Sequence, residues 1–151
     1  MENKEILDLL PYRAPFLFVE ELLEVTEDRV VGSYTFSRDL GFYQGHFKDF
    51  PVTPGVILTE CCAQIGLVCL GIFLMKTYIK ENKDSQISVG LSNSEMDFYH
   101  PVLPDEKVTV TSEKIYFRFN KLKCRVKMHN VAGQLVCKGI ISGMLKLQDI
   151  E

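Results

Sequence analysis

The sequence lacks several patterns that would assign it directly to a known kind of site. Its five cysteines are odd in number and show no Cys-x-x-Cys spacing, which argues against a disulfide framework and a zinc site. It contains no Gly-x-Ser-x-Gly elbow, no His-Glu-x-x-His motif and no glycine-rich phosphate loop. We therefore expect buried thiols in a reducing compartment, with the cytoplasm as the location, and no metal. Burial in an apolar run would raise the pKa of Cys61 and Cys62, so neither is expected to act as a nucleophile.

The charge and the apolar runs also exclude some partners. The 17 Lys and Arg residues against 20 Asp and Glu residues give a formal net charge of −3, so no global attraction to nucleic acid or anionic membranes is expected. The beginning of the chain lacks the basic region and small-residue cleavage site of a secretory signal. The longest nearly uncharged run, residues 61–75, contains Gln64 and is shorter than the roughly 20 residues that span a bilayer, so we expect a core helix.

Length and pattern predict one α+β domain over residues 1–151. With 46% apolar and 25% charged residues, the chain is long enough for one core and too short to expect two. Residues 56–80 predict a long helix whose first turns are apolar on all sides. Runs with strand-like patterns lie on both sides of this helix, at 16–25, 29–37, 86–91, 107–119, 122–130 and 134–147. We expect one sheet wrapped around the helix, and a second subunit over the helix face that remains.

Two residues next to this helix suit acid–base chemistry. His46 lies in a loop rich in glycine, proline and aromatic residues, where a histidine alone is usually a hydrogen-bonding turn residue. Glu60 lies in the second turn of the most apolar helix, where a carboxylate needs a partner. It is either one half of a salt bridge, or a carboxyl whose pKa is raised by desolvation so that it holds a proton near neutrality. We interpret His46 and Glu60 as an acid–base pair.

Three neighbours of Glu60 have possible supporting roles. Gln64 lies one turn later on the same helix face, where it either fixes the Glu60 carboxyl by a hydrogen bond or satisfies another buried polar group. Thr53, in the Thr-Pro-Gly turn before the helix, is a possible N-cap. Gly55 allows a ligand to approach the backbone closely, and its N–H, at the positive end of the helix dipole, is suited to stabilise an oxyanion.

The order of these residues resembles the 3-hydroxyacyl-[acyl-carrier-protein] dehydratases of the FabZ type. The segment "LLPYRAPFLFVEELLEV" is similar to that family's opening Leu-Pro-His-Arg-x-Pro-Phe-Leu. The segments "FYQGHF", "FPVTPGVILTE" and "CCAQ" are similar to its central signature, and "DFYHPVLPDEKV" resembles its later strand and turn. The likeness covers nearly the whole chain. It implies the hotdog fold, in which an antiparallel sheet wraps around one long central helix.

The resemblance also implies roles for four residues. His46 falls on the family's catalytic histidine and Glu60 on its catalytic acid, where glutamate is typical of FabZ and aspartate of the FabA isomerase branch. Gly55 falls on the glycine whose amide binds the thioester carbonyl, and Gln64 on the glutamine that supports the acid. In the family the histidine of one subunit works with the acid of the other. A homo-oligomer, either a dimer or a trimer of dimers, is therefore implied.

The implied reaction is dehydration of a (3R)-3-hydroxyacyl thioester to the trans-2-enoyl thioester, in fatty acid synthesis or a related lipid or polyene pathway. It needs no cofactor, because the substrate is carried on the phosphopantetheine arm of acyl carrier protein. The loop departs from the family: Lys48, Asp49, Phe50 and Pro51 replace the usual Pro-Gly-His-Pro, and Thr53 replaces a common methionine. These changes favour a specialised acyl chain over altered chemistry. The rival interpretations are a hotdog acyl thioesterase and a non-catalytic acyl-binding subunit of a hetero-oligomer.

Two further sets of residues are predicted to contact the substrate or its carrier. Phe42, Phe47 and Phe50 either line an acyl tunnel or belong to the core. An acidic carrier protein is expected to dock on a local cluster of cations, and the alternative is that these cations form an ordinary solvated face. The cluster comprises Lys48 near the loop and Arg118, Lys121, Lys123, Arg125 and Lys127 in the run "FRFNKLKCRVK".

Overall fold

The chain forms one sheet and a long helix, linked by the loop that contains His46. The structure, a computed structural model, describes residues 1–149. Helix α1 (Asn3–Asp8) is followed by strands β1 (Glu21–Val25) and β2 (Arg29–Thr35), and then by a 3₁₀ turn at Gly41–Gln44. The long helix α2 (Gly55–Leu74) and the short helix α3 (Lys76–Glu81) come next. The remaining strands are β3 (Ser85–Phe98), β4 (Lys107–Arg118), β5 (Lys121–Asn130) and β6 (Leu135–Asp149).

The six strands form one antiparallel sheet in the order β1-β2-β4-β5-β6-β3. Alternate residues of β5, from Leu122 to Met128, are fully buried, whereas the residues between them face outwards. One face of the sheet therefore holds the core and the other faces solvent. β1 and β3 lie at the two edges of the sheet, and β3 is the longer of the two.

Helix α2 fills the core face of the sheet, as its uniformly apolar sequence predicts. Every residue from Cys61 to Ile72 is buried. The helix lies so close to the sheet that a Cβ on Gly66 would stand 2.9 Å from Val126 Cγ1, which explains the glycine. The Ser112 hydroxyl donates to the Gly66 carbonyl over 2.8 Å, where residues 64–69 are π-helical. By length and composition α2 could span a membrane, but 72% of its most apolar window is buried within the protein, as in a core helix.

Three sequence-based boundaries differ from the structure. β1 begins at Glu21 rather than at residue 16, because the backbone groups of Phe16 and Phe18 bond to the Gln64 side chain of α2 instead of to the sheet. β3 continues to Phe98 rather than ending at residue 91, because its second half is an exposed edge whose polar residues hide the strand pattern. The expectation that Thr53 caps α2 is wrong. Pro54 is the N-cap residue, and the Thr53 hydroxyl bonds to Tyr43 instead.

Candidate active site

The loop before α2 holds His46 through backbone and ring contacts. The His46 N–H donates to the Phe42 carbonyl (3.0 Å), and the His46 carbonyl accepts from the Val52 N–H (2.9 Å). The ring Nδ1 lies 2.9 Å from the Val52 carbonyl oxygen. Because a carbonyl only accepts, Nδ1 must carry the proton, and Nε2 is the basic nitrogen of the neutral ring. The ring of Phe47 stacks on the imidazole of His46 at a centroid distance of 4.0 Å.

Gln64 fixes the carboxyl of Glu60 from within the core. Its side chain is fully buried, and its Oε1 accepts from the Phe18 N–H at 2.7 Å. Its Nε2 donates both to the Phe16 carbonyl (3.0 Å) and to Glu60 Oε2 (3.2 Å). The two roles that the sequence left open are therefore both present: the amide satisfies buried backbone groups, and these same bonds orient it towards the acid.

Burial gives the Glu60 carboxyl the properties of a proton donor. Glu60 is half-buried, and desolvation raises the pKa of its carboxyl, while the hydrogen bond from Gln64 opposes the rise. Among residues 1–149 Glu60 forms no ion pair, so the salt-bridge alternative is not what the chain itself provides. Tyr12 is near enough for the Glu60 charge to act on it: burial first, and this charge second, raise the pKa of Tyr12 to about 12. Its phenol therefore stays neutral beside the acid.

Gly55 opens α2 with a free amide. As the first helical residue it has no intrahelical acceptor for its N–H, and its carbonyl accepts from the Thr59 hydroxyl at 3.1 Å. The ring of Phe98 lies beside it, because a Cβ on Gly55 would stand 3.4 Å from that ring. Phe98 is 48% exposed, so its ring lies on the surface beside Gly55. Sequence reasoning missed both Phe98 and Tyr12, since their proximity to the site arises from tertiary packing rather than from spacing along the chain.

The two proposed catalytic groups form no hydrogen bond or ion pair with each other within residues 1–149. Over residues 1–149 the Glu60 carboxyl bonds only to Gln64, and the His46 ring hydrogen bonds only to the Val52 carbonyl. Any joint action of His46 and Glu60 therefore needs groups brought together from two copies of the chain, or a substrate lying between them.

The loop aromatics surround His46 rather than Glu60. Phe47 and Phe50 are 57% and 62% exposed, whereas Phe42 is half-buried against Tyr43 at a ring distance of 4.6 Å. Phe50 borders an open cleft of about 520 Å³ that Tyr43 and Leu103 also line. A role for these three phenylalanines in an acyl tunnel stays a prediction.

The predicted docking cations lie in two separate places. Lys121 and Lys123 begin β5, and the Lys123 ammonium lies 5.9 Å from the ring centroid of Tyr116. Lys48 lies in the His46 loop, which is anchored near the start of β4 by the bond from the Thr53 N–H to the Val102 carbonyl. The start of β4 pairs with the end of β5, so roughly 30 Å of extended strand separates the two places within one chain.

Metal and thiol chemistry find no support in the described part of the chain. No cluster of three or more His, Cys, Asp or Glu side chains able to hold a metal occurs among residues 1–149. All five cysteines are free and buried, as predicted. Burial raises the pKa of the Cys61 thiol, while the neighbouring Cys137 thiol, 4.0 Å away, and burial together raise the pKa of the Cys62 thiol. Neither is poised as a nucleophile.

Comparison with known proteins found relatives over nearly the whole chain. A family model described as a FabA-like domain matches residues 10–141. A 3-hydroxyacyl-[acyl-carrier-protein] dehydratase FabZ of Ruminiclostridium cellulolyticum is 31% identical over 142 residues, covering 93% of this chain and 94% of the relative. The protein of the same name from Clostridioides difficile is 35% identical over 136 residues, covering 89% of this chain and 90% of the relative.

Solved structures share the fold at much lower identity. The dehydratase heterocomplex ApeI:P from Xenorhabdus doucetiae superposes with a TM-score of 0.75 at 16% identity, covering 97% of this chain and 91% of that one. A hypothetical thioesterase from Streptococcus pneumoniae, solved with coenzyme A, superposes with a TM-score of 0.57 at 15% identity, covering 86% and 88%. At such identities the likeness concerns the hotdog fold alone.

Proposed function

The chain belongs to the FabA-like family as a dehydratase of the FabZ type, and we propose that His46 and Glu60 of two different subunits form its catalytic pair. The enzyme removes water from a 3-hydroxyacyl thioester carried by acyl carrier protein, a reaction of fatty acid biosynthesis. It needs no cofactor, because dehydration involves no change of oxidation state in the enzyme and the carrier's phosphopantetheine arm holds the substrate. The thioesterase and the non-catalytic alternatives are not favoured.

The observation that carries the assignment is the contrast between the two groups. The Val52 carbonyl fixes the tautomer of neutral His46, with the proton on Nδ1 and the lone pair on Nε2. Desolvation raises the pKa of the Glu60 carboxyl, so Glu60 retains its proton to higher pH. One residue therefore offers a basic nitrogen and the other an acidic proton, which are the two groups that dehydration requires.

The proposed mechanism uses both groups on one substrate. His46 Nε2 accepts the proton from C2 of a (3R)-3-hydroxyacyl thioester, and the Gly55 N–H stabilises the enolate-like oxygen that develops. Glu60 donates its proton to the C3 hydroxyl, the C3–O bond breaks, and water leaves with formation of the trans-2 double bond. Transfer of a proton from the imidazolium back to the Glu60 carboxylate, through solvent, restores the starting state. Gln64 keeps the acid oriented throughout.

An oligomer is expected from the open edge of the sheet. β3 is an edge strand of the sheet and pairs only with β6 among the described strands, and its residues 91–95 are all exposed. Apolar side chains lie exposed nearby, with Leu91 at 50%, Phe98 at 48% and Val56 at 76%. A long, partly apolar edge is a template for pairing with another chain. We propose a homodimer formed along β3, or a trimer of such dimers, and this contact would cover the surface beside Gly55.

Assay of a short 2-enoyl thioester should separate dehydratase from thioesterase activity. We expect the purified protein to hydrate the double bond, seen as loss of the conjugated enoyl absorbance, without release of free thiol. Thiol release at a rate matching or exceeding hydration would contradict the assignment. Turnover on a panel of 3-hydroxyacyl-carrier substrates of different lengths would then define the acyl chain, including the specialised lipid or polyene chains that the altered loop favours.

We further propose that the carrier docks on the cations in and just before β5, of which Lys121 and Lys123 are half-buried. Arg118, Lys121, Lys123, Arg125 and Lys127 form no ion pair within residues 1–149. The outward residues of β5 are therefore rich in cations, although Glu113 lies opposite Arg125 on β4 and Glu95 and Asp97 border the same cleft as Arg125 and Lys127. Because Lys48 lies at the other end of the sheet, a carrier that uses it together with Lys121 and Lys123 would have to contact two subunits.

Reversing the charge of Lys121 and Lys123 together should weaken use of the carrier selectively. We expect Lys121→Glu with Lys123→Glu to lower kcat/KM for carrier-bound substrate by about tenfold at low salt, because complementary charge steers association. The loss should shrink at high salt, and the same acyl group on coenzyme A should be unaffected. Lys4→Glu, on the exposed face of α1, serves as the control. Equal losses on both substrates would reject docking at these lysines, and Lys48→Glu tests the second place separately.

The thiols and the sheet support proposals on the location of the protein and on its domain organisation. Five free, buried thiols suit a reducing compartment, and we propose the cytoplasm. We also propose that residues 1–151 form a single hotdog domain, since all six described strands belong to one sheet. The final residues, 150 and 151, lie outside the described range.

A further inference from the structure

A buried pair of hydroxyl groups closes the loop that carries His46. Tyr43 Oη lies 2.5 Å from Thr53 Oγ1, and the two residues are only 6% and 4% exposed. Tyr43 lies in the 3₁₀ turn just before His46, while Thr53 directly follows Val52, whose carbonyl accepts from the His46 ring. The pair therefore joins the two ends of the segment that holds the histidine.

We propose that the Tyr43–Thr53 hydrogen bond positions His46 for catalysis by fixing the peptide group that carries the Val52 carbonyl. The inference rests on the proposed function of His46 as the base. On one side of this peptide, the Thr53 N–H donates to the Val102 carbonyl at 2.9 Å. The preceding peptide is held as well, because its Val52 N–H donates to the His46 carbonyl at 2.9 Å. The Tyr43 hydroxyl adds a side-chain link from Thr53 back to the turn in front of His46.

This link controls both the direction and the tautomer of the imidazole. The Val52 carbonyl keeps the proton on Nδ1 only while it points at that atom, and rotation of the peptide would remove this preference. A misplacement of a catalytic group by about 1 Å can lower the rate by up to roughly 100-fold. Tyr43 and Thr53 would be positioning residues, because they act on the reaction only through His46.

A hydroxyl pair at this place is otherwise hard to explain. Burying a hydroxyl is unfavourable unless it is hydrogen-bonded, and two apolar groups of the same shape could fill the space at similar stability. A polar pair adds direction, which apolar packing does not supply. Burial also raises the pKa of the Tyr43 phenol, with its bond to Thr53 opposing the rise, so Tyr43 stays neutral and the bond persists across the working pH range.

The test compares kcat and KM for variants that remove the bond. We expect Thr53→Val and Tyr43→Phe each to lower kcat by about tenfold, with KM for a short enoyl thioester unchanged within about twofold. Thr53→Ser, which keeps the hydroxyl, should retain nearly full kcat. The double variant should be no slower than either single variant, because each substitution removes the same bond. It leaves no unpaired hydroxyl, so it should fold even if the unpaired hydroxyl of a single variant destabilises the protein.

A His46→Ala background distinguishes positioning from a general effect on the protein. In that background Thr53→Val should change the residual rate by less than about twofold, since the group it positions is gone. A further tenfold loss there, or normal kcat in Thr53→Val itself, would overturn the positioning role while leaving His46 as the base. If His46→Ala alone kept a near-normal rate, the proposed catalytic pair would fail, and the positioning role with it.

Discussion

Replacing His46 by alanine, or Glu60 by glutamine, is expected to lower kcat for dehydration by ~10²–10⁴, the usual contribution of a positioned base or acid. His46→Ala removes the Nε2 lone pair that accepts the C2 proton. Glu60→Gln keeps the shape of the side chain and the contact with Gln64, but an amide cannot deliver a proton to the departing hydroxyl. The measurement is the steady-state rate of hydration of a short enoyl thioester, made on both folded variants.

Stability measurements should show that these losses are chemical. The folded-state pKa of Glu60 is raised, so the folded protein holds this proton more tightly than the unfolded chain does. This contribution to stability is fully present below the ordinary carboxyl pKa and is lost as the pH rises through the raised one. Glu60→Gln should therefore leave the free energy of unfolding near neutral pH unchanged or higher. A lower value would mean that the ionised carboxylate stabilises the fold, against the role given to it here.

The same pKa shift predicts the form of the pH profile. A rate that requires a protonated Glu60 carboxyl falls as the pH rises through the raised pKa of that group. In the Glu60→Gln variant the descending limb that belongs to the acid should disappear. A descending limb that stays at the same pH in this variant would assign it to another group.

The residues of the candidate site could be singled out from the sequence because three of them are unusual in their local context, whereas His46 was assigned through its neighbours and the family resemblance. Glu60 and Gln64 stand out in an apolar helix, and Gly55 follows a proline at its start. The fold could also be predicted, because α2 is too apolar to be exposed to solvent and strand-like patterns precede and follow it in the sequence. The role of Gln64 could not be decided from the sequence alone. Its spacing from Glu60 suggested two roles, and only the tertiary contacts with the Phe16 and Phe18 backbone show that it has both.

Other features could not be predicted because they depend on segments that are distant in sequence. Phe98 comes to lie beside Gly55 at the end of an edge strand whose polar pattern does not indicate a strand. Thr53 looked like a helix cap, yet its hydroxyl bonds to Tyr43 across the loop. In both cases the partner is set by tertiary packing around the loop, whose Thr53 N–H bonds to the Val102 carbonyl between β3 and β4, and local propensity does not encode this.

Mixing two inactive variants should restore activity if the site is shared between subunits. A dimer of His46→Ala with Glu60→Gln contains one site with both substitutions and one site with intact His46 and intact Glu60. Random pairing should then give about one quarter of the wild-type rate, because half of the dimers are mixed and each has one working site. Recovery from the level of either variant alone would thus be large. Co-expression with two different affinity tags allows the mixed dimer to be isolated and assayed.

The reciprocal pairing supplies the control. A chain with both substitutions, paired with wild type, should give a dimer in which neither site is complete, so an excess of the double variant should suppress wild-type activity. If each subunit held its own complete site, the first pairing would restore nothing and the second would leave half of the activity. His46 and Glu60 share no hydrogen bond within residues 1–149, which fits both a shared site and a substrate lying between the groups of one chain, so these pairings decide between the two. The exposed edge of β3 provides the surface along which the two subunits would bring these groups together.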